Sequence, residues 1–410
     1  MSTFPLPLNE LLGSGGAYVI YLLIGFAFGY VLELAGFGNA TKLAPQFYFK
    51  DMTVLKVMFG AIVTAMVLVF LASGVGLLDY NLVWVNPTYL WPGIVGGLLM
   101  GVGFIIGGFC PGTSLVSAAT LKLDGIFFVL GVFFGIFLFG ETVGTFETFY
   151  HSSYMGRFTL MEWLNIPTGV VVLLVVAMAL FMFWGSEQLE RMVGKRDLTQ
   201  EPKWRYGAAG TILAGALLVV FIGQPTTADR WANIAAEEEA RIANREIYIH
   251  PGELLDYLHD PSVQVVMLDV RSERDYNLFH IRDARRVSAA AIDEIVPELH
   301  LQPASTLFVL MSNGETAATE AWRTLRAESI PSLYILEGGL NNWLTIFADE
   351  EFVAGQKTAV DDQDQLAYTF TAALGARYPW AEPNPRAFTL TYTPKVELEI
   401  KRAPEGGGCG

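Results

Sequence analysis

The sequence predicts an α-helical polytopic membrane domain, followed by an α/β soluble domain and a short β-containing tail. The 410-residue chain is 52% hydrophobic and only 16% charged, which is too apolar for a single soluble globule. Apolar runs dominate residues 17–223, whereas residues 224–410 have the composition of an ordinary soluble protein. Within the second part, short strand-like and helix-like runs alternate between residues 245 and 347.

Charge and cysteine content exclude several classes of function. The net charge of −15 argues against nucleic acid as a partner. The two cysteines, Cys110 and Cys409, lie in settings too different for a disulfide framework, and the five histidines are scattered, so no metal site is expected. The sequence contains no nucleotide-binding loop, so neither ATP nor another cofactor is expected. The start of the chain lacks the basic residues of a cleavable signal peptide.

Six segments are long and apolar enough to span a bilayer, which takes about 20 residues each. They cover residues 17–37, 53–78, 91–109, 125–142, 166–184 and 207–223. The third and fourth are broken up by glycines and by Pro111, so re-entrant pieces remain open as an alternative. We therefore expect a membrane domain over residues 1–223 and a linker over residues 224–244.

The distribution of Lys and Arg orients these spans. Most of the positive charge lies in three connections, which six spans would place on one side: 38–52, the short one near 122, and 185–205. The opposite connections, 79–90 and 143–165, carry only Arg157. Because basic loops stay in the cytoplasm, we expect a bacterial inner-membrane protein whose residues 224–410 are periplasmic.

Two glycine-rich interruptions, residues 29–51 and 101–125, end apolar runs with small and polar residues. Non-helical backbone at membrane depth must line a cavity or be buried in protein, and paired interruptions are typical of the central site of a transporter. The N-termini of broken helices would present N–H groups to an anion. The alternative reading is structural, since glycines allow close helix packing and Pro111 kinks a helix. Spacing alone leaves both readings open.

The residues of both interruptions resemble the YeeE/YedE sulfur-transport family. In the first, the matching residues are Gly29–Glu33, Phe37–Ala40 and Phe49–Asp51. In the second, they are Gly101, Gly103, Gly107, Gly108, Cys110, Gly112 and Thr113. The resemblance covers roughly residues 20–180. It implies transport of thiosulfate or a related small sulfur species, with Cys110 handling the substrate sulfur.

The chain departs from the family at two positions of the first motif. Gly38 stands where the family has cysteine, so a relay through several thiols is impossible in the membrane half. Either Cys110 acts alone, or passage relies on dipoles and hydrogen bonds, or the substrate differs; Cys110 could also be a small buried apolar residue. Glu33 stands where the family has Gln, and it could gate, pair with a cation, be protonated or lie at the interface. The substrate path implied by the resemblance comprises Glu33, Gly36, Gly38, Asn39, Thr41, Gly108, Cys110, Pro111, Gly112, Thr113 and Ser114.

The soluble half reads as a parallel α/β sheet, in which ligands bind at the C-terminal ends of strands. Buried strands are predicted at 263–270, 305–312 and 331–338, with a helix at 317–328. The signature residues resemble a rhodanese domain, expected over residues 245–350. They are Asp269-Val270-Arg271, His280-Ile281 with Ala284, and Glu337-Gly338-Gly339 with Trp343.

The rhodanese resemblance also places a nucleophilic cysteine after the central strand, and this chain lacks it. Met311 occupies that position, Ser312 is one position off, and Gly314 fixes the register. A thioether forms no thiolate, so we expect no persulfide and no sulfurtransferase activity. Glu315 is expected to place a negative charge in a loop that should hold an anion. A structural or partner-docking module is therefore favoured.

The C-terminal extension, residues 351–410, contains a predicted strand at 395–400 and ends in a glycine run, Gly406 to Gly408, that tethers Cys409. This end resembles the cysteine arm of SoxY-type sulfur-carrier proteins, which implies that Cys409 carries sulfur and that periplasmic sulfur-oxidation or sulfur-carrier proteins are partners. An incidental cysteine on a disordered end is the alternative. The second function hypothesis is a membrane-anchored periplasmic sulfur-relay or docking protein that transports nothing.

Overall fold

A computed structural model describes residues 4–195, 203–303, 306–358 and 364–398. The chain divides into two compact units between Gln224 and Pro225. In the described part of the first unit, six helical segments are long and apolar enough to cross a membrane, as predicted. They are Leu11–Leu34, Thr53–Gly74, Leu90–Ala119, Leu123–Thr145, Thr168–Met192 and Trp204–Ile222.

The α-helices of the membrane unit vary widely in length. In chain order they are α1 (Leu8–Leu34), α2 (Ala40–Leu43), α3 (Thr53–Gly74), α4 (Leu90–Gly107), α5 (Pro111–Ala119), α6 (Leu123–Thr142), α7 (Glu147–Tyr150), α8 (Leu160–Leu164), α9 (Thr168–Met192) and α10 (Trp204–Ile222). The third of these segments, Leu90–Ala119, thus consists of two helices, α4 and α5, with a break between them, and the span predicted at 91–109 corresponds to α4. Helix α4 alone is about 27 Å long, close to the thickness of the hydrocarbon core.

Helices α3, α9 and α10 form the packed part of the membrane unit. Val67, Val176 and Val219 are among the buried residues where they meet. A methyl group on Gly169 would lie 2.8 Å from the Cα of Val220, so α9 and α10 approach more closely than any side chain at that position allows. Small residues at a helix contact are typical of membrane proteins, where close backbone approach supplies the packing energy.

The three basic connections lie at one end of the membrane unit, as the six-span topology requires. Lys122 Nζ donates to the carbonyl of Gly38 at 2.8 Å. Glu190, which is fully buried, accepts from the backbone N–H of Met52 at 2.6 Å and from Lys56 Nζ at 2.8 Å. This carboxylate satisfies the first turn of α3 and fixes the connection at 38–52 against the end of α9.

The opposite end of the unit gathers the N-terminal residues and the end of α10. The N–H of Phe4 donates to the carbonyl of Leu77 at 2.9 Å, and Gln224 Nε2 donates to the carbonyl of Phe70 at 3.0 Å. The guanidinium of Arg157 lies over the ring of Tyr80, 5.6 Å from its centre. The start of the chain and the exit of the last span therefore lie on the same side, as predicted.

The second unit is an α/β domain built on a five-stranded parallel sheet, as predicted. Its strands are β1 (Tyr248–Ile249), β2 (Gln264–Asp269), β3 (Arg285–Arg286), β4 (Thr306–Met311) and β5 (Leu333–Leu336), in the order β1-β5-β4-β2-β3. Its helices are α11 (Thr227–Ala243), α12 (Pro251–Leu258), α13 (Glu273–Leu278), α14 (Val296–Leu299), α15 (Thr316–Ala327), α16 (Gly339–Phe347) and α17 (Glu350–Gln356). The predicted strands correspond to β2, β4 and β5, and the predicted helix corresponds to α15.

Two segments of this unit differ from their sequence-based description. The stretch predicted as a linker contains α11, which begins with a capping box between Thr226 and Asp229 and packs on α15, where Arg326 pairs with Glu238 at 2.7 Å. The strand predicted at 395–400 is wrong in its described part, because residues 395–398 join no strand. The buried carboxylate of Glu253 accepts the N–H groups of Lys395 and Val396 instead, and the hydroxyl of Tyr334 accepts that of Glu397.

Candidate functional site

The break between α4 and α5 follows from the residues at 108–111. Gly108 ends α4 in the left-handed conformation, with φ of 72°, which glycine adopts at little cost. Cys110 is extended and forms the N-cap of α5. Pro111 occupies the first turn of α5, where its missing N–H costs no helical hydrogen bond. The sequence therefore encodes the end of one helix and the start of the next within four residues.

The sulfur of Cys110 lies at the N-terminus of α5. The N–H of Thr113 donates to Cys110 Sγ at 3.4 Å, and the N–H of Cys110 donates to Thr113 Oγ1 at 3.0 Å. Thr113 and Ser114 are buried, and the hydroxyl of Ser114 donates to the carbonyl of Pro111 at 2.7 Å. Because helix N-termini carry partial positive charge, this arrangement places positive potential beside the sulfur.

The first interruption forms a tight turn between α1 and α2. Gly36 has φ of 78° and lies against the side chain of Lys42, whose Nζ donates to the carbonyl of Ala35 at 2.6 Å. Asn39 is the N-cap of α2 and accepts from both the N–H and the hydroxyl of Thr41, at 3.0 and 2.8 Å. Asn39 and Thr41 are exposed, so their polar groups remain accessible.

The structure brings the two interruptions together. A methyl group on Gly108 would lie 3.0 Å from Cβ of Ala40, so the end of α4 touches the start of α2. The buried side chains of Phe37, Leu43 and Phe109 form one apolar cluster at this contact, with Val54 of α3. In the described structure the polar contacts of Cys110 stay within its own turn. At this contact the two motifs therefore meet through Gly108, Ala40 and apolar side chains.

Glu33 and Gly38 are linked through Lys122, whose charge contributed only to the predicted orientation of the membrane spans. Lys122 Nζ lies 3.2 Å from Glu33 Oε1 as well as 2.8 Å from the carbonyl of Gly38. A methyl group on Gly38 would lie 2.3 Å from Glu33 Oε2, so the carboxylate fills the space that a side chain at position 38 would need. Both partners are more than one third exposed, which makes this ion pair weak and open to exchange. Of the roles left open for Glu33, pairing with a cation is the one seen here.

A groove of about 560 Å³ adjoins the break on its apolar side. Phe104, Phe109, Pro111 and Phe128 are among its lining residues, all of which are apolar. Such a lining suits hydrocarbon and offers nothing to a hydrated anion. The polar groups of the break are therefore the hydroxyls and N–H groups of α5, together with the side chains around Lys122.

In the second unit, Met311 stands at the position where the rhodanese resemblance has cysteine; it is the last residue of β4, immediately before the loop, and is fully buried. Ser312 is also buried, and its hydroxyl accepts from the N–H of Ala318 at 3.3 Å. The N–H groups of Gly314 and Ala317 point instead at the carboxylate of Asp364, each at 2.7 Å. An anion does lie in this loop, and it belongs to the C-terminal extension. Sequence patterns do not predict this contact, because Asp364 lies 50 residues from Gly314 in an irregular segment.

The expectation that Glu315 places its charge in this loop is wrong. Its carboxylate turns away, accepting from the N–H of Gly338 at 2.6 Å and from Arg245 at 2.7 Å. The hydrogen bond from Arg245 to Glu315 raises the pKa of that guanidinium, so Arg245 stays charged. The N–H groups of the loop therefore face no neighbouring negative charge from Glu315.

The buried ion pair Asp269–Arg271 supports the loop from behind. Arg271 Nη2 donates to Asp269 Oδ2 at 2.7 Å, and Nη1 donates to Asn313 Oδ1 at 3.2 Å. Both charged side chains are almost completely buried, so removing either one would leave an unpaired charge in the interior. The Asp-Val-Arg signature thus positions Asn313 next to the anion-holding N–H groups. Cys409 lies outside the described residues.

Comparison with known proteins assigns a class to each part. Residues 35–255 match the family model for sulphur transport, which is more than half of the chain, and the chain therefore belongs to that family. Residues 250–345 match the model for a rhodanese-like domain. The molecule is thus a multi-pass membrane protein of the sulphur transport family that carries a rhodanese-like domain.

One curated relative is similar to about half of this chain. The chain is 24% identical over 214 residues to the thiosulfate transporter TsuA of Spirochaeta thermophila. The alignment covers 47% of this chain and 59% of that relative, so the chain spans less than two thirds of TsuA. No solved structure matches the chain.

Replacing Gly108 by alanine tests the geometry of the break. The substitution forces a left-handed alanine against Ala40, and we expect a loss of about 1–2 kcal/mol in stability. The matched control is Gly97→Ala in the middle of α4, where a methyl group meets nothing within 4 Å. That control should be neutral or slightly stabilising. Thermal unfolding of the detergent-solubilised protein measures both, and equal stability of the two variants contradicts the described break.

Proposed function

We propose that this protein transports thiosulfate, or a related small sulfur oxyanion, across the membrane past the break between α4 and α5. The observation that carries the proposal is the position of Cys110, a thiol at a helix N-terminus where two glycine-rich interruptions meet. Family membership supports sulfur transport, and the similarity to TsuA supports thiosulfate as the substrate.

The break offers the electrostatic compensation that a dianion needs when it loses water. The positive end of the α5 dipole would compensate for part of the lost hydration shell, while the hydroxyls of Thr113 and Ser114 donate to the carbonyls of Cys110 and Pro111 and stabilise the first turn. Lys122 supplies a positive charge close to the same contact, and its exposed pairing with Glu33 lets a dianion compete for it. Asn39 and Thr41 add exposed polar groups at the turn before α2.

The other path residues shape the backbone. Gly36 and Gly108 take left-handed conformations, and Gly38 leaves room for the carboxylate of Glu33. Pro111 and Gly112 form the first turn of α5 without adding bulk beside the sulfur. Because Cys110 is the single cysteine of the membrane unit, sulfur is not handed between thiols there. Passage therefore depends on one thiol and on fixed dipoles.

We further propose that the rhodanese-like domain performs no sulfur transfer. Met311 is fully buried and carries a thioether, and the N–H groups of the loop already hold Asp364. A Cys409→Ser protein, whose remaining cysteine is Cys110, should form no thiocyanate from thiosulfate and cyanide above the buffer rate. A clear turnover in that assay contradicts the assignment of a docking or structural role.

The distribution of positive charge supports one orientation of the protein in the membrane. The basic end of the membrane unit is taken as cytoplasmic, which places the domain after Gln224 outside. Cys409 would then lie on the extracytoplasmic side, where it could present sulfur to or accept it from periplasmic proteins. This carrier role, like the alternative of a relay protein that transports nothing, remains a prediction from the sequence.

Uptake of radiolabelled thiosulfate into proteoliposomes separates transport from relay. For Cys110→Ala, which loses both the sulfur and the N-cap, we expect uptake to fall about tenfold or more, which corresponds to about 1.4 kcal/mol in the barrier. Cys110→Ser keeps a capping oxygen, so it shows whether the sulfur itself is needed.

The matched control for uptake is Cys409→Ala, which should leave transport unchanged. Undiminished uptake by Cys110→Ala overturns the proposed path. Wild-type protein without any thiosulfate uptake favours the relay hypothesis.

A further inference from the structure

Asp364 occupies the loop after β4 in the manner of a bound oxyanion. Its two carboxylate oxygens each accept one backbone N–H, Oδ1 from Gly314 and Oδ2 from Ala317, both at 2.7 Å. Ala317 lies in the first turn of the twelve-residue helix α15, so the positive end of the helix dipole faces the carboxylate. This is the geometry in which small oxyanions bind to helix N-termini.

The loop is held rigidly from the other side. The carbonyls of Ser312 and Asn313 accept the N–H groups of Leu340 and Asn341 at 2.9 and 3.0 Å. Gly339 makes this contact possible, because its φ is 62° and a methyl group there would lie 2.0 Å from the carbonyl oxygen of Gly314. Because its carbonyls are bonded to α16, the loop is fixed by contacts that do not involve Asp364.

The buried Asp269–Arg271 ion pair lies on the inner side of the same position. The guanidinium of Arg271 is 1% exposed and donates to Asn313 Oδ1 at 3.2 Å. Asn313 in turn donates through Nδ2 to the backbone carbonyl of Asp364 at 3.1 Å and to Asp275 Oδ2 at 3.0 Å. The buried side chain of Asn313 therefore connects the supporting ion pair to the segment that covers the loop.

The segment from Asp364 to Tyr368 is fastened at a second point. Asn341 Nδ2 donates to the carbonyl of Gln365, and the N–H of Ala367 donates to Asn341 Oδ1, both at 2.8 Å. Ala367 and Tyr368 are buried against the core of the domain. These contacts hold the segment from Asp364 to Tyr368 in place, with Asp364 against the N–H groups of the loop.

We propose that this segment is a latch, in which Asp364 is the built-in occupant of an anion site that a free divalent oxyanion can take only by displacing it. Two like charges cannot share two N–H donors, so occupancy is exclusive. A tethered group has an effective concentration in the millimolar range or above, so oxyanions at lower concentrations leave the latch closed. The latch does not depend on transport by the membrane unit.

Hydrogen exchange on the full-length protein in detergent, read by mass spectrometry, tests the latch locally. In Asp364→Ala, the amides of Gly314 and Ala317 should exchange faster than in wild type. Added thiosulfate or sulfate should restore their protection, at concentrations about tenfold or more below those needed to act on wild type, because the competitor is gone. Chloride at equal ionic strength is the salt control.

Two further variants keep the test independent of folding. Asp364→Asn preserves the size of the side chain but leaves one acceptor for two donors, so it should respond to the oxyanions between wild type and Asp364→Ala. The matched control, Asp349→Ala, removes an exposed acidic residue at the start of α17 and should behave as wild type. Unchanged exchange of the loop in Asp364→Ala, or no protection by either oxyanion in both Asp364 variants, overturns the proposal.

Discussion

The architecture of the membrane unit depends on one constraint: every backbone N–H and C=O that leaves a helix in hydrocarbon needs another partner. The break between α4 and α5 meets part of this need locally. The N–H of Gly108 donates to the carbonyl of Phe104, the N–H of Cys110 donates to Thr113 Oγ1, and the carbonyl of Cys110 accepts from the N–H of Ser114. These contacts fix the first turn of α5, which places positive potential beside a thiol.

The chain uses the same device twice, once in each unit. In the membrane unit the N-terminus of α5 faces the sulfur of Cys110, to which the N–H of Thr113 donates. In the soluble unit the N-terminus of α15 faces the carboxylate of Asp364, which already supplies the negative charge. The difference between an open and a filled site therefore lies in the residue that each N-terminus meets. It follows that the membrane unit, and not the rhodanese-like domain, is where we place substrate handling.

Sequence patterns predicted the features that depend on local chemistry. Apolar runs located the six spans and the strands β2, β4 and β5, because burial on both faces leaves a continuous signal. The two-residue strands β1 and β3 are too short to leave one. Helix α11 lies in the stretch predicted as a linker, although the residues of its capping box, Thr226 and Asp229, are visible in the sequence. The pairing of Lys122 with Glu33, 89 residues away, and the capture of Asp364 by Gly314 depend on the tertiary fold. The strand expected at 395–400 failed because side chains of Glu253 and Tyr334 took its backbone groups.

The central claim is that the transported anion passes within contact of Cys110. It is tested most directly by the rate at which N-ethylmaleimide modifies Cys110 in a Cys409→Ser protein, where Cys110 is the single thiol. If the transported anion passes Cys110, thiosulfate should slow this modification in a saturable manner, whereas chloride at the same ionic strength should not. A rate that is the same with and without thiosulfate, in protein that retains thiosulfate uptake, would contradict it.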